Sequence, residues 1–284
     1  FSDIETSPDW KPPDDKVNKY PLIRAQSYTD GCPAGSVLSN TYFIDTHFRG
    51  RYTLPIISVT ADKSAFFGYN KGIYVPGANQ HPDYLRATGN CFMRGGAWER
   101  EVHVEYFSSE GQLLFEQDAG ARIHGNMSRG FPQKSLRLYS RPEYGKAFFE
   151  YPFFPDNERV YFPTIILRTP EADLSGSLFK DELCHEIVKG LDLDIMDQSP
   201  CIVFLNGEYW GIHNIRERQD EDYLAYYHGI SPDSLDILSE DLEIIQGSND
   251  DYSALLNYIS AHDLSDPEAY EWVCERIDID NIID

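Results

Sequence analysis

A hairpin pattern with a lysine opening its second strand runs from residue 121 to residue 139: Ala121-Arg-Ile-His-Gly-Asn-Met-Ser-Arg-Gly-Phe-Pro-Gln-Lys-Ser-Leu-Arg-Leu-Tyr139. Alternating runs flank a turn rich in Gly, Asn and Ser, and side chains alternate between the two faces of a strand. Lys134 therefore shares a face with Leu136 and Leu138, where a lysine is partly buried and needs an anion partner. Gly and Asn are also common in ordinary turns, so composition alone favours a plain hairpin over a phosphate-binding loop.

Further strands are predicted on both sides of this hairpin. Residues 100–107 alternate strictly, with Val102, Val104 and Tyr106 on one face. Asn206-Gly207 between two apolar runs is the strongest short signal for a tight hairpin. Strands are predicted at residues 20–28, 39–44, 54–60, 100–107, 112–116, 119–123, 134–139 and 161–167, and over 201–217 on both sides of Asn206-Gly207.

Helices dominate the last third of the chain. The clearest one covers residues 175–190, where Phe179, Leu183, Ile187 and Leu191 recur every four residues. Shorter helices are predicted at residues 220–228, 250–261 and 267–277. Strands first and helices later indicate an α+β fold.

The charge balance limits the partners of the chain. Its 284 residues carry a formal net charge of −23, which disfavours binding to nucleic acid. No apolar run is long enough for a membrane span. The cysteines form no Cys-x-x-Cys, so no zinc-thiolate site is predicted, and no metal ligands are predicted within the chain. The densest basic cluster of this acidic chain, made of Arg122, Arg129, Lys134 and Arg137, falls in the hairpin.

The hairpin sequence resembles the signature of the CotH family, the spore-coat-H-type atypical protein kinases. The shared string is Ile-His-Gly-Asn-x-Ser-Arg-x-x-Pro-x-Lys-Ser-Leu-Arg-Leu, with Met127 in place of a more usual small polar residue. The segment from Asn206 to Glu217 is also typical of the family, and the resemblance extends from Leu54 to Asp284. It implies a kinase-like fold: a β-rich N-terminal lobe with one key helix, then a partial helical lobe.

The resemblance also implies a nucleotide site. Protein kinases cover phosphates with a glycine-rich hairpin and bind them with a strand lysine that pairs with a helix glutamate. The predicted contacts to ATP are Gly125, Asn126, Ser128, Arg129, Lys134, Arg137 and Glu217. The predicted catalytic residues are Lys134, its partner Glu186 or alternatively Glu182, and Asp181.

Structural alternatives stay open for three of these residues. Lys134 fits equally a strand lysine that extends its ammonium to solvent. Glu217 fits a salt-bridged strand end as well as a contact to the adenine base. Asp181, in the Lys180-Asp181 step that CotH-like sequences show, fits a structural role.

The resemblance sets further expectations about the whole protein. Residues 1–51 resemble the tail of a chitobiase-C-terminal-like β module, and residues 52–284 form the CotH-like domain, truncated at its C-terminus. The Asp-rich segment that holds Mg²⁺ is expected beyond Asp284, so this fragment is expected to be inactive alone. The parent is expected to be an exported bacterial kinase of the cell surface or spore coat, beside extracellular domains of the same precursor, that phosphorylates a serine of a protein. The alternative is a non-catalytic surface module that binds protein or glycan.

Overall fold

The computed structural model describes residues 3–44, 48, 50–170, 173, 176–239 and 242–284. The chain divides into two units. The first unit contains Phe1–Lys180 and Asp197–Glu217, and the second contains Asp181–Met196 and Arg218–Asp284.

The first unit is built mainly of β-strands. They are β1 (Leu22–Thr29), β2 (Cys32–Thr41), β3 (Ile56–Thr60), β4 (Arg100–Phe107), β5 (Leu113–Ile123), β6 (Leu136–Tyr139), β7 (Phe149–Glu150), β8 (Tyr161–Phe162), β9 (Thr164–Arg168), β10 (Gln198–Leu205) and β11 (Glu208–Arg216), with helix α1 (Lys63–Phe67) after β3. Seven of them form a closed barrel in the order β10-β11-β9-β6-β5-β4-β3. Parallel pairing of β3 with β10 closes the barrel, and the other neighbours run antiparallel.

The alternation predicted for residues 100–107 is confirmed in β4. Val102, Val104 and Tyr106 are buried in the apolar core of the barrel. Residues 112–116 and 119–123, predicted as separate strands, form the one long strand β5. The predicted strand 161–167 is divided into β8 and β9 at Pro163, which has no N–H to donate to a ladder.

The predicted tight hairpin at Asn206-Gly207 is confirmed. It joins β10 to β11, and both residues have positive φ, +49° and +78°, as a type I′ turn requires. The Asn206 side chain also accepts a hydrogen bond from the backbone N–H of Ala61, at 2.8 Å. The turn therefore also holds the end of strand β3.

The N-terminal residues form a hairpin of β1 and β2. Its turn lies at Asp30-Gly31, so β2 begins earlier than the predicted strand 39–44. After it, Phe43 and Phe48 pack with Tyr20 and Phe204 in an aromatic cluster on the barrel. The resemblance of residues 1–51 to a chitobiase-C-terminal-like module stays a prediction.

The second unit is mainly helical. Its elements are α2 (Lys180–Val188, whose first residue belongs to the first unit), α3 (Glu221–His228), β12 (Ile237–Leu238), β13 (Ile244–Gln246), α4 (Asp250–Ala261), α5 (Pro267–Cys274) and α6 (Ile279–Ile283). The predicted helix 175–190 is shorter than expected because α2 begins only at Lys180, and Ser175 lies outside the described residues. Asp220 and Gly229 cap α3, as helix boundary signals require.

Tyr258 of α4 stacks on Trp272 of α5 with ring centroids 3.7 Å apart. The mixed α/β class with a β-rich core is confirmed, whereas the arrangement of two kinase lobes stays a prediction. Among the described residues, no helix is long and apolar enough to cross a bilayer.

Candidate functional site

Lys134 lies fully buried between the glycine-rich turn and strand β6. Its ammonium donates a hydrogen bond to the carbonyl of Phe131 and lies 5.7 Å from the centre of the Tyr74 ring. Among the described residues of its own unit, no carboxylate pairs with this ammonium. The side chain therefore places a positive charge in the protein interior, where a carbonyl oxygen and an aromatic face are its described contacts.

Burial changes the acid–base behaviour of this lysine. Loss of hydration lowers the pKa of Lys134 to about 8, and the nearby Cys91 thiol partly opposes that shift. An anion beside the ammonium would stabilise its charged form and raise the pKa again. Lys134 thus has the electrostatic character of a residue that binds a negatively charged group.

Tyr74 fixes the backbone of Lys134. Its hydroxyl accepts hydrogen bonds from Lys134 N and from Trp210 Nε1, both at 2.7 Å, and donates to the Lys134 carbonyl at 3.1 Å. Burial raises the pKa of Tyr74 above its ordinary value, so the hydroxyl stays protonated. The lysine is thereby held in one backbone position.

His213 completes the surroundings of Lys134 in a neutral form. The ring is fully buried, and its Nδ1 lies 3.4 Å from the Gly211 carbonyl oxygen. Burial lowers the pKa of His213 to about 4. This imidazole therefore adds no second cation to the site at neutral pH.

The tip of the hairpin is exposed and its base is buried. Gly125 has a φ of +108°, and Asn126 and Met127 are exposed. The backbone N–H groups of Asn126 and Met127 donate to no acceptor among the described residues. Exposed, unpaired N–H groups in a turn can bind an anion.

Arg129 holds this tip in place from below. Its buried guanidinium donates to the carbonyls of Gly125 at 2.6 Å, Cys91 at 3.2 Å and Met93 at 3.3 Å. Ser128 and Gly130 beside it are buried as well. Arg129 therefore has a structural role in shaping the turn, and its predicted contact to phosphate stays a prediction.

Arg137 has hydrogen-bond partners within the protein. Arg137 donates to His124 Nδ1 at 2.8 Å and to the Tyr139 hydroxyl at 3.3 Å. Its strand neighbours Leu136 and Leu138 are buried in the barrel, so Arg137 faces the outside. The predicted role of Arg137 toward ATP is not tested by these contacts.

Glu217 follows β11 and is buried. Its carboxylate accepts from Arg159 Nη1 and from Asp197 N, both at 3.4 Å. This is the ion pair that the structural interpretation of Glu217 predicts. A contact between Glu217 and an adenine base stays a prediction.

Comparison with known proteins identifies the family. The family described as CotH kinase protein matches residues 121–284, more than half of the chain. The chain belongs to the CotH kinase family. No curated protein matches it. The match begins in β5 and includes the hairpin, Lys134 and the whole second unit.

The predicted CotH helix carboxylates lie in α2, in the second unit. Glu186 pairs with Lys189 of the same helix at 3.6 Å, and Asp181 Oδ2 lies 4.0 Å from His185 Nε2. Glu182 lies one turn before Glu186. Because Lys134 belongs to the first unit, its pairing with Glu186 or Glu182 stays a prediction.

Sequence reasoning missed the residues that surround the CotH lysine. Tyr74 lies in a segment, 72–77, that the sequence predicts only as a loop with a short extended piece. Trp210 and His213 belong to the predicted hairpin 201–217, and Cys91 shows no local signal. The apolar pair Ile73 and Val75 around Tyr74 was the available sign of burial.

Proposed function

We propose that this chain is the nucleotide-binding part of an ATP-dependent CotH-type protein kinase that phosphorylates a serine in a surface or coat protein. The family membership supports a kinase-like activity. The ATP requirement, the serine acceptor and the cell-surface or spore-coat location are parts of this proposal.

The observation that carries the proposal is the buried ammonium of Lys134. Burial lowers its pKa to about 8, and no carboxylate among the described residues of its own unit pairs with it. The α- and β-phosphates of ATP would provide a counter-charge, as they do for strand lysines of kinases. Glu186, or Glu182 in its place, would orient the lysine.

The hairpin suits a phosphate group in two further respects. The exposed N–H groups of Asn126 and Met127 are available to phosphate oxygens, and Gly125 permits the left-handed backbone of the turn. Arg129 keeps the turn in one conformation through three carbonyls. A turn of fixed shape loses little entropy when a ligand binds.

Magnesium would neutralise charge that develops on the transferred phosphoryl group. The described contacts of the hairpin consist of carbonyls, amides, an aromatic ring and cationic groups, which do not form an Mg²⁺ site because this ion prefers carboxylate and water oxygens. We therefore assign no Mg²⁺ ligand around Lys134.

The decisive experiment is a calorimetric titration of the full chain with ATP, with and without Mg²⁺. Lys134→Met keeps much of the side-chain volume and removes the charge, and Lys146→Ala removes an exposed lysine as the matched control. We expect saturable binding in the wild type and in Lys146→Ala, and at least a tenfold loss, about 1.4 kcal/mol, in Lys134→Met. Equal affinity in all three proteins would disprove the assignment of Lys134.

A second candidate function is glycan or peptide binding in a groove of about 600 Å³ in the first unit. Trp10, Tyr209 and Trp210 line it together with Lys11 and Lys16. Aromatic walls with a few polar groups are usual in ligand sites. If oligosaccharides bind the wild type and Lys134→Met equally, and binding is lost in Trp10→Ala, the surface-module function is favoured.

A further inference from the structure

A group of acidic and imidazole side chains lies on the outer face of the barrel, separate from Lys134. His103 and Glu105 alternate with the buried Val102 and Val104 along β4, so they point outward. In the register of β4 and β5, His103 stands opposite Asp118, and Glu105 stands opposite Glu116. Four potential ligand or orienting groups thus occupy two adjacent cross-strand pairs.

Of the two ring nitrogens of His103, Nδ1 has a hydrogen-bond partner and Nε2 has none among the described residues. Nδ1 lies 2.7 Å from Asp118 Oδ1, and a hydrogen on Nδ1 donates to this carboxylate oxygen. Nε2 is buried and has no hydrogen-bond partner among the described residues, and Glu116 Oε2 lies 3.9 Å from it, too far for a hydrogen bond. A carboxylate on one nitrogen and a free second nitrogen is the arrangement of metal-binding histidines.

Glu105 brings a buried carboxylate to the same place. Its side chain is almost fully buried, and both carboxylate oxygens lie 3.0 Å from the backbone N of Thr41. An ionised carboxylate has about four lone-pair positions, so one N–H donor leaves room for a metal. One ligand atom each from His103, Glu105 and Glu116 lies within 4.8 Å of the others.

Strand β3 gives an independent observation that supports a ligand site here. Thr60 stands opposite His103 in the β3–β4 register, and it is 1% exposed. Its hydroxyl has no hydrogen-bond partner among the described residues. Buried polar groups are nearly always satisfied, so an unpaired hydroxyl and an unpaired imidazole nitrogen on one cross-strand pair support an ion or its bound water near that pair.

The carboxylates of the group favour a cation, and a bound metal would offset the burial that raises the pKa of Glu105. Glu105, Glu116 and Asp118 carry three carboxylates, and no lysine or arginine of the described chain forms an ion pair with them. Imidazole and carboxylate ligands together suit a divalent transition metal better than Mg²⁺ or Ca²⁺.

We propose that His103 Nε2, Glu105 and Glu116 bind one divalent transition metal ion of the zinc type, with Asp118 orienting the imidazole. Zinc holds such ligand atoms at about 2.0–2.2 Å, so two of them are about 3.4 Å apart in a tetrahedral site. The 3.9 Å between His103 Nε2 and Glu116 Oε2 needs only a small closure, which the exposed Glu116 side chain permits. A fourth position would be left for water.

Zinc binding to the full chain tests this site without any reference to kinase activity. After treatment with a chelator and dialysis, zinc chloride is titrated calorimetrically into the wild type, Glu116→Gln and Glu110→Gln. Glu116 is half exposed, so Glu116→Gln leaves the fold intact, and Glu110 is an exposed control in the turn between β4 and β5. We expect one tight equivalent that weakens about 100-fold in Glu116→Gln and is unchanged in Glu110→Gln.

Asp118→Asn tests the orienting role, with an expected loss of about 10–100-fold in zinc affinity. Cobalt in place of zinc adds a spectroscopic readout, because the visible bands of a tetrahedral cobalt site should appear in the wild type and be absent in Glu116→Gln. Absence of tight zinc binding, or equal affinity in the wild type and Glu116→Gln, would overturn the proposal. It would also favour a purely structural role for the hydrogen bond between His103 and Asp118.

Discussion

The Tyr74 hydroxyl binds both backbone groups of Lys134, accepting from its N–H at 2.7 Å and donating to its carbonyl at 3.1 Å. The same hydroxyl accepts from Trp210 Nε1, so it joins the hairpin, the 72–77 segment and strand β11. Because both backbone groups of Lys134 are held, the point from which its side chain extends is fixed. The position of Lys134 is therefore set by a residue outside the family signature.

Removal of this hydroxyl should destabilise the fold. In Tyr74→Phe, the buried N–H of Lys134 and the half-buried Nε1 of Trp210 lose their acceptor. An unsatisfied buried polar group costs about 1–3 kcal/mol, so we expect a loss of unfolding free energy of that order, measured by urea denaturation.

Tyr69→Phe is the matched control for Tyr74→Phe. Tyr69 is 71% exposed, and exposed substitutions usually change stability by less than about 0.5 kcal/mol. Equal stability of the two variants would contradict the role assigned to the Tyr74 hydroxyl.

Stability should depend on pH through Lys134. Its pKa of about 8 in the folded chain lies below the ordinary value of 10.5, so between these two pH values the unfolded chain binds the extra proton. Unfolding free energy therefore rises with pH in this window, by about 3 kcal/mol relative to Lys134→Met, and the difference is constant below pH 8. The measurement is denaturant unfolding of both proteins from pH 7 to pH 10.5.

The buried neighbours Cys91 and Tyr74 lower stability as pH rises in this window, because their unfolded forms lose protons first, but they do so in both proteins. The pKa of His213 is about 4, and burial raises the pKa of both Cys91 and Tyr74. Groups remote from the site titrate in both proteins and cancel in the comparison. A stability difference that is flat across pH 8 to 10.5 would show that Lys134 keeps an ordinary pKa.

Local signals in the sequence predicted several elements correctly. The alternation of residues 100–107 and the Asn206-Gly207 turn act over a few residues, and the structure has β4 and the β10–β11 hairpin at these places. The closure of the barrel was not predictable in this way. Parallel pairing of β3 with β10 joins segments far apart in sequence. The residue pattern of a strand shows which face is buried but not which other strand it pairs with.

The candidate site was predictable to a similar degree. The apolar face shared by Lys134, Leu136 and Leu138 predicted burial of the lysine, and all three are fully buried. Tyr74 and Cys91 could not be predicted as neighbours of Lys134, because they lie outside the strands and belong to no periodic pattern. The pairing of His103 with Asp118 depends on the register of β4 and β5, which the separate predictions for 112–116 and 119–123 did not provide.

The hairpin should not tolerate a side chain at Gly130. A Cβ atom there would lie 2.5 Å from the backbone carbonyl oxygen of Arg86, closer than real Cβ contacts. Gly130→Ala should therefore destabilise the chain by about 1–3 kcal/mol, as overpacking does. In Gly96→Ala, the control, the nearest atom is 3.9 Å away, and no loss is expected. Thermal unfolding of both variants gives the comparison, and equal midpoints would rule out the close approach of residue 130 to Arg86.

The buried ion pair of Glu217 offers a test of structural against ligand-binding roles. Glu217 and Arg159 are 3.4 Å apart and expose 1% and 7% of their side chains, whereas the pair Arg276 and Glu275 has a similar distance of 3.3 Å but is exposed. Removal of one member of a buried ion pair is strongly destabilising, so Glu217→Ala should cost about 3 kcal/mol. Glu275→Ala should cost less than about 1 kcal/mol.

ATP titration of Glu217→Gln separates the two roles further. The amide keeps one of the two acceptor oxygens, which can serve Arg159 or Asp197 N, so the fold should survive at a smaller cost than in Glu217→Ala. If Glu217 is purely structural, the folded Glu217→Gln protein should bind ATP as the wild type does. A fall in ATP affinity of tenfold or more in a folded Glu217→Gln protein would instead assign this carboxylate to the nucleotide, because the ion pair alone gives no reason for that loss.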